Sequence, residues 1–213
     1  MAGPVPCSSL SFAACFVYSP RGTGAICEAS RRLCARVKAL DPRWLPRYVG
    51  LVYRASLHHP QLARLFAPGA VLVPVPGSAP GNDAPWVASQ LATALRELGL
   101  AGTVWLGLQR QFAVRKSATA LAGERPTVHE HYQSFSVART PVVIRRIVLI
   151  DDVITKGRTL LAAAARMQAQ FPHTDIRAFA LIRTLGFQRR VEHLIEPCQG
   201  VIRWAGGDAR REP

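Results

Sequence analysis

Arg146-Ile147-Val148-Leu149-Ile150-Asp151-Asp152-Val153-Ile154-Thr155-Lys156-Gly157-Arg158-Thr159 is the stretch on which the fold turns. Ile147 to Ile150 are four consecutive apolar residues, the pattern of a short strand buried on both faces. Two carboxylates, Asp151 and Asp152, follow at once, then the apolar pair Val153 and Ile154, then a small polar loop from Thr155 to Thr159. Beyond it Leu160, Leu161, Ala164, Met167 and Phe171 recur at helical spacing. The local order is strand, acidic edge, phosphate-sized loop, helix. Open parallel sheets bind ligands just beyond the carboxyl ends of their strands. A helix N-terminus offers free N–H groups and a positive dipole end to a phosphate. The acids beside such a phosphate would accept hydrogen bonds from sugar hydroxyls or from water on a magnesium ion.

This stretch resembles the phosphoribosyl pyrophosphate (PRPP) motif of the type I phosphoribosyltransferases. There, four apolar residues precede two acids, an apolar pair and a Thr-x-Gly-x-Thr loop, a match in order over about thirteen positions. The resemblance implies that Thr155, Lys156, Gly157, Arg158 and Thr159 grip the 5-phosphate of PRPP, with Lys156 and Arg158 adding charge. It implies that Asp151 and Asp152 grip the ribose hydroxyls, and that Mg2+ enters with PRPP. The competing reading is a response-regulator-like or generic strand and loop with an accidental pair of acids. The P-loop signature Gly-x4-Gly-Lys-Ser/Thr does not occur in the chain.

Ala70 to Val75 reads as a second buried strand, running into Pro76, Gly77 and Ser78 and then Ala79 to Asp83. A loop in that position brings backbone N–H groups close to an anion. Asp83 is placed to cap the next helix, whose buried face is Val87, Leu91, Leu95 and Leu98 and whose stop is Gly99. Val73-Pro74-Val75-Pro76 is similar to the Val-Pro-Val-Pro strand of the ComF-like branch of the same family, and that likeness implies a pyrophosphate-binding loop at Pro76, Gly77 and Ser78. The branch's loop is rich in Arg and ends in Gly-Phe-Asn, whereas this one has no Arg. Backbone donors would then hold the pyrophosphate, or the acceptor and the chemistry differ.

Thr103 to Leu108 reads as a third strand, followed by a long polar segment with Arg110, Arg115, Lys116, Arg125, His129, Glu130 and His131. Loops this long in compact domains are often functional, and the resemblance makes it the loop that closes over PRPP. Arg115 and Lys116 are the expected pyrophosphate contacts. Glu130 or a histidine is a candidate base for the acceptor, and spacing does not choose between them. Asp175 to Arg183 is a further strand, with Leu185 and Phe187 at its carboxyl end as candidate acceptor contacts. Val191 to Ile195, a Pro197–Gly200 turn and Val201 to Trp204 would close the sheet edge.

Earlier in the chain, Leu10 to Tyr18 could form a strand, belonging either to a lid or to the packing. Glu28 to Leu40 and Leu45 to Leu57 read as helices, with a helical turn from Gln61 to Phe66. The expected fold is α/β, a mostly parallel sheet flanked by helices, with a small hood. The expected division is an N-terminal hood and helical segment over 1–69, a phosphoribosyltransferase-like core over 70–205 and a mobile tail over 206–213.

The chain carries 27 basic and 13 acidic residues for a formal charge of +14, which suggests a polyanionic partner beyond one small ligand. Nucleic acid, a phosphorylated acceptor and a second copy of the chain (a homodimer) are left open. The five cysteines are odd in number and include no Cys-x2-Cys pair, so free thiols in a reducing cytoplasm are expected, and no dedicated metal site. No apolar run approaches the length of a membrane span. The leading expectation is transfer of phosphoribose from PRPP to an unidentified acceptor. The alternatives are a non-catalytic PRPP-sensing regulator and a ComF-like accessory protein associated with nucleic acid.

Overall fold

A computed structural model describes residues 7–67, 69–81, 86–115, 125–140, 143–186 and 190–213. The elements run β1 (Ser9–Tyr18), α1 (Ala25–Lys38), α2 (Leu45–His58), α3 (Pro60–Leu65), β2 (Val71–Pro74), α4 (Val87–Glu97), β3 (Thr103–Val104), β4 (Leu108–Arg110), α5 (Val128–Ser134), β5 (Phe135–Val137), β6 (Arg146–Ile154), α6 (Arg158–Gln170), β7 (Asp175–Thr184), β8 (Ile195–Ala205) and β9 (Asp208–Glu212). Seven strands form one sheet in the order β3-β2-β6-β7-β1-β8-β9. The first five in that order are parallel, while β8 pairs antiparallel with β1 and β9 antiparallel with β8. A two-stranded ribbon, β4 with β5, stands apart from the sheet.

The sheet is covered on both faces, which is why its central strands are almost wholly apolar. On one face Val148 and Ile150 of β6 and Leu72 of β2 pack with Leu33 and Val37 of α1, Val49 and Val52 of α2, Leu62 of α3 and Leu91 and Leu95 of α4. On the other, Ile147 and Leu149 of β6 and Val73 and Val75 pack with Leu160, Leu161 and Met167 of α6, Val128 of α5 and Phe135 of the ribbon. Cys15, Cys27 and Cys34 are buried as free thiols. Burial pushes Cys15 up to about 12, with neighbouring Cys198 a smaller cause.

The structure departs from the sequence expectation at both ends. The described residues of 1–69 are not all set apart from the sheet. β1 lies inside the main sheet between β7 and β8, because Phe12 to Val17 are buried on both faces and need a neighbour on each side. Nor is 206–213 a loose tail: β9 pairs with β8 from Ala205↔Asp208 to Val201↔Glu212. Gly206 and Gly207, at φ 58 and 89, make the tight connection that folds it back. The expected Pro197–Gly200 turn is part of strand β8, and the expected third strand is split between β3 and the separate β4. Pro197 lies beyond the reach of β9, so its missing N–H interrupts no ladder bond on that side.

Candidate functional site at the switch point of the sheet

β2 and β6 are neighbours, but the chain leaves them in opposite directions. From β2 it passes to α4 on one face, and from β6 to α6 on the other. Their carboxyl ends therefore form a topological switch point, the place where α/β sheets bind ligands. The ladder bond from the Val75 N–H to the Ile150 carbonyl, 2.9 Å, sets Pro76-Gly77-Ser78 beside Asp151-Asp152.

β6 carries the acids as part of the strand itself. Asp151 Oδ1 accepts the Asp152 N–H at 2.9 Å, and Asp152 Oδ1 accepts the Val153 N–H at 2.8 Å. Asp152 Oδ2 accepts from the Lys38 ammonium at 3.1 Å, across 114 positions of sequence. Burial raises the Asp151 carboxyl well above the ordinary carboxylate range, and the Asp152 charge pushes the same way. Burial alone would lower the Lys38 ammonium, but the charge and hydrogen bond of Asp152 outweigh it and leave it raised. Lys38 comes from the α1 face of the sheet. From the opposite face, Arg110 on β4 sends its field toward Asp151.

The loop after β6 turns at Gly157, whose left-handed backbone (φ 86, ψ 13) caps α6. Ile202 of β8 lies directly beneath it: a side chain at Gly157 would come within 2.7 Å of Ile202 Cδ1. Glycine is required there twice over, for its positive φ and for that close approach. The first N–H groups of α6 have no partner within the helix and are available to an anion. The Thr155 and Thr184 hydroxyls meet at 3.2 Å, and the Thr159 hydroxyl lies 3.4 Å from His131 Nε2.

Lys156 and Arg158 do not point free charge at this loop. Both are held by Asp208 of β9, Lys156 at 3.1 Å and Arg158 through Nη2 at 2.7 Å. Arg158 also donates to the Arg125 and Pro126 carbonyls at 3.1 and 3.3 Å. The Arg158 hydrogen bonds are the main reason that Asp208 is pulled down to about 2. Arg211 adds a second brace from β9, donating to the Ile154 carbonyl at 3.1 Å and the Thr184 carbonyl at 2.6 Å.

The loop after β2 lacks an arginine of its own, and the fold brings one to it. Arg110 is buried, lies 4.3 Å over the Phe135 ring, and donates to the Gly77 carbonyl and the Ser134 hydroxyl. Burial lowers its guanidinium to about 10, and Asp151 opposes that shift. The Trp86 indole donates to the Val75 carbonyl at 2.9 Å, and the Val114 N–H to the Ser78 carbonyl at 2.8 Å. Arg115 follows Val114 and so stands at the edge of this loop. Lys116, Asp83 and Phe187 lie outside the described residues.

Glu130 is committed elsewhere. It closes a capping box with Thr127, accepting from the backbone N–H at 2.6 Å and the hydroxyl at 2.8 Å, and these bonds hold it below the usual carboxylate range. His131 is buried against Phe135. Burial, with Arg110 next in size, lowers it to about 4. It is therefore neutral at physiological pH, a positioner of Thr159 rather than a cation. Unfolded, the imidazole titrates near 6.5, so between 6.5 and 4 the unfolded chain binds more protons and the native state loses stability as the pH falls. That loss is roughly 3–4 kcal/mol at most. His131→Phe keeps the stacked ring and removes the titration. Its urea midpoint is expected to fall less than that of the parent between pH 7 and pH 4.5, and an equal fall would remove His131 as the acid-sensitive group.

Lys38, Arg110 and Asp208 are the site residues that the sequence reading did not single out. Lys38 is indistinguishable there from any basic residue in the last turn of a helix, where the dipole favours it. Asp208 carries a faint signal, a lone acid ahead of Arg210 and Arg211. Among the described residues no three His, Cys, Asp or Glu side chains gather to hold a metal ion. The two carboxylates nevertheless fit magnesium arriving on a phosphorylated ligand, which needs only one or two protein oxygens, and the ammonium already seated on Asp152 shows that this edge accepts a cation. No described helix is long and apolar enough to cross a membrane. No protein-family model matches the chain, and no curated protein is similar to it.

Proposed function

We propose that this protein binds PRPP with Mg2+ at the switch point between β2 and β6 and transfers its phosphoribosyl group to an acceptor, releasing pyrophosphate. The observation that carries the reading is the Gly157-turned loop capping α6 immediately beyond the Asp151–Asp152 pair at the switch point of a parallel sheet. The 5-phosphate is received by the backbone N–H groups of the loop and by the Thr155 and Thr159 hydroxyls. Asp151 and Asp152 accept the ribose hydroxyls. Gly77 and Ser78, with Arg115 at their edge and Arg110 bracing the Gly77 carbonyl, face the pyrophosphate. Magnesium, when it enters with PRPP, neutralises charge on the departing pyrophosphate. In the transfer, the bond from ribose C1 to the pyrophosphate oxygen breaks and its electron pair leaves with pyrophosphate. The acceptor's lone pair forms the new bond to C1, and the acceptor's proton passes to solvent. The fold's contribution is alignment and fixed charge. Pyrophosphate release in the presence of Mg-PRPP and a panel of nucleobases and amines tests this. Acceptor-dependent release is expected with at least one member, and binding with no release by any acceptor would contradict transfer.

A second reading, a regulator that binds PRPP and nucleic acid without catalysis, is favoured by one observation. Residues 1–69 carry Arg21, Arg31, Arg32, Arg36, Lys38, Arg43, Arg47, Arg54 and Arg64 against only Glu28 and Asp41. Arg43, Arg47 and Arg54 are exposed, and Arg36 and Arg47 lie 3.8 and 5.1 Å from the Trp44 ring centre. This reading requires DNA or RNA affinity that falls steeply with salt, and weak, salt-independent binding would remove it.

A further inference from the structure

Lys38 is built into the acidic edge by the fold. Leu33, Cys34 and Val37 bury one face of α1 against the sheet, so the helix cannot slide. The helix ends immediately after Lys38, where Leu40 takes a left-handed backbone (φ 52) that turns the chain away. The ammonium is thereby delivered to Asp152 Oδ2 at 3.1 Å, its side chain 46% exposed and that of Asp152 20%. Of the four carboxylate oxygens of the pair, Asp151 Oδ1 and Asp152 Oδ1 accept backbone N–H groups and Asp152 Oδ2 accepts Lys38.

We propose that Lys38 is a specificity-determining residue: its ammonium is a built-in counter-cation that refuses free divalent metal to the acid pair and yields only to a cation carried on an anionic ligand. The proposal rests on the reading of the acid pair as the ligand edge given above. A free divalent ion would have to expel Lys38 and would then find only the Asp152 carboxylate with buried Asp151 beside it and, among the described residues, no third acid, His or Cys. Magnesium normally retains waters and takes its remaining ligands from phosphates, so a phosphorylated ligand supplies what the protein does not. The same ligand's negative charge gives the displaced ammonium a new partner. A half-exposed lysine on a flexible stem can make that exchange without moving α1.

The test is direct titration of Mn2+ alone, followed by its electron-spin resonance signal, with no PRPP present. The proteins are wild type, Lys38→Met, Lys38→Arg and Lys38→Met with Asp152→Asn. Circular dichroism melts confirm folding, which a half-exposed lysine does not decide. The wild type and Lys38→Arg are expected to bind Mn2+ only weakly. Lys38→Met is expected to bind it about tenfold more tightly or better, since Asp152 loses the ammonium seated on its Oδ2. The double variant is expected to lose that gain. Lys38→Met binding Mn2+ no more tightly than wild type would overturn the proposal, even if wild type binds Mg-PRPP. A clear gain in Lys38→Met supports it, even if wild type fails to bind PRPP and the functional reading falls.

Discussion

Asp152→Ala is expected to lower the affinity for Mg-PRPP by about 100- to 10,000-fold while the protein stays folded. A carboxylate that accepts two ribose hydroxyls contributes two charge-assisted hydrogen bonds, each about 1.5–3 kcal/mol when removed from one side only. The variant also strands the Lys38 ammonium, which is half exposed and can turn to water. Little stability is lost for that reason, because partly exposed ion pairs contribute about 0–1 kcal/mol. Intrinsic tryptophan fluorescence during a PRPP titration, with a thermal melt of the same sample, separates the two quantities. An unchanged affinity would remove Asp152 from the ligand edge. A collapsed melt would instead make it a structural acid.

Gly157→Ala is the second large effect, and it acts on stability and binding together. The left-handed backbone costs a non-glycine residue about 1–2 kcal/mol. The added Cβ would come within 2.7 to 2.9 Å of three carbons of Ile202, which is fully buried in β8 and cannot swing aside. Overpacking of that kind costs about 1–3 kcal/mol. The combined destabilisation is about 2–5 kcal/mol, read from urea unfolding. The α6 N-terminus is displaced in the process, so affinity for inorganic phosphate is expected to fall as well. A second substitution, Ile202→Ala, removes the steric part and leaves the backbone part. The two changes are therefore expected to be non-additive, with the double variant more stable than the sum of the singles implies. Strict additivity would mean that Ile202 is not what Gly157 meets.

Much of the frame was legible because burial on both faces leaves a direct mark. Ile147–Ile150 and Ala70–Val75 are continuous apolar runs, and both are central strands. The amphipathic spacing of Leu33 and Val37, or of Leu91 and Leu95, marks helices with one buried face. β1 carries the same apolar mark, but its placement beside β7 depends on pairing with residues some 166 positions away (Phe12↔Ala178), which no local pattern encodes. Pro197 and Gly200 read as a turn because those residues usually break strands. At Pro197 the edge is unpaired, and at Gly200 the Phe12 ring packs where a side chain would be. The polar sequence of Asp208–Glu212 hid a strand whose work is ionic and hydrogen-bonded: Asp208 on Lys156 and Arg158, Arg211 on the Ile154 and Thr184 carbonyls. In the site, the acids and the glycine loop are contiguous and so could be read. Lys38, Arg110 and Asp208 arrive from three other elements, and only the fold gathers them.

Titration calorimetry of Mg-PRPP into the wild-type protein asks whether one ligand bridges the loops after β2 and β6. Saturable binding at one site per chain is expected, with ribose 5-phosphate and magnesium pyrophosphate each competing, because the β6 loop and the β2 loop would hold the two ends of one ligand. Absence of saturable binding, or binding that neither fragment displaces, would contradict the placement of PRPP between β2 and β6.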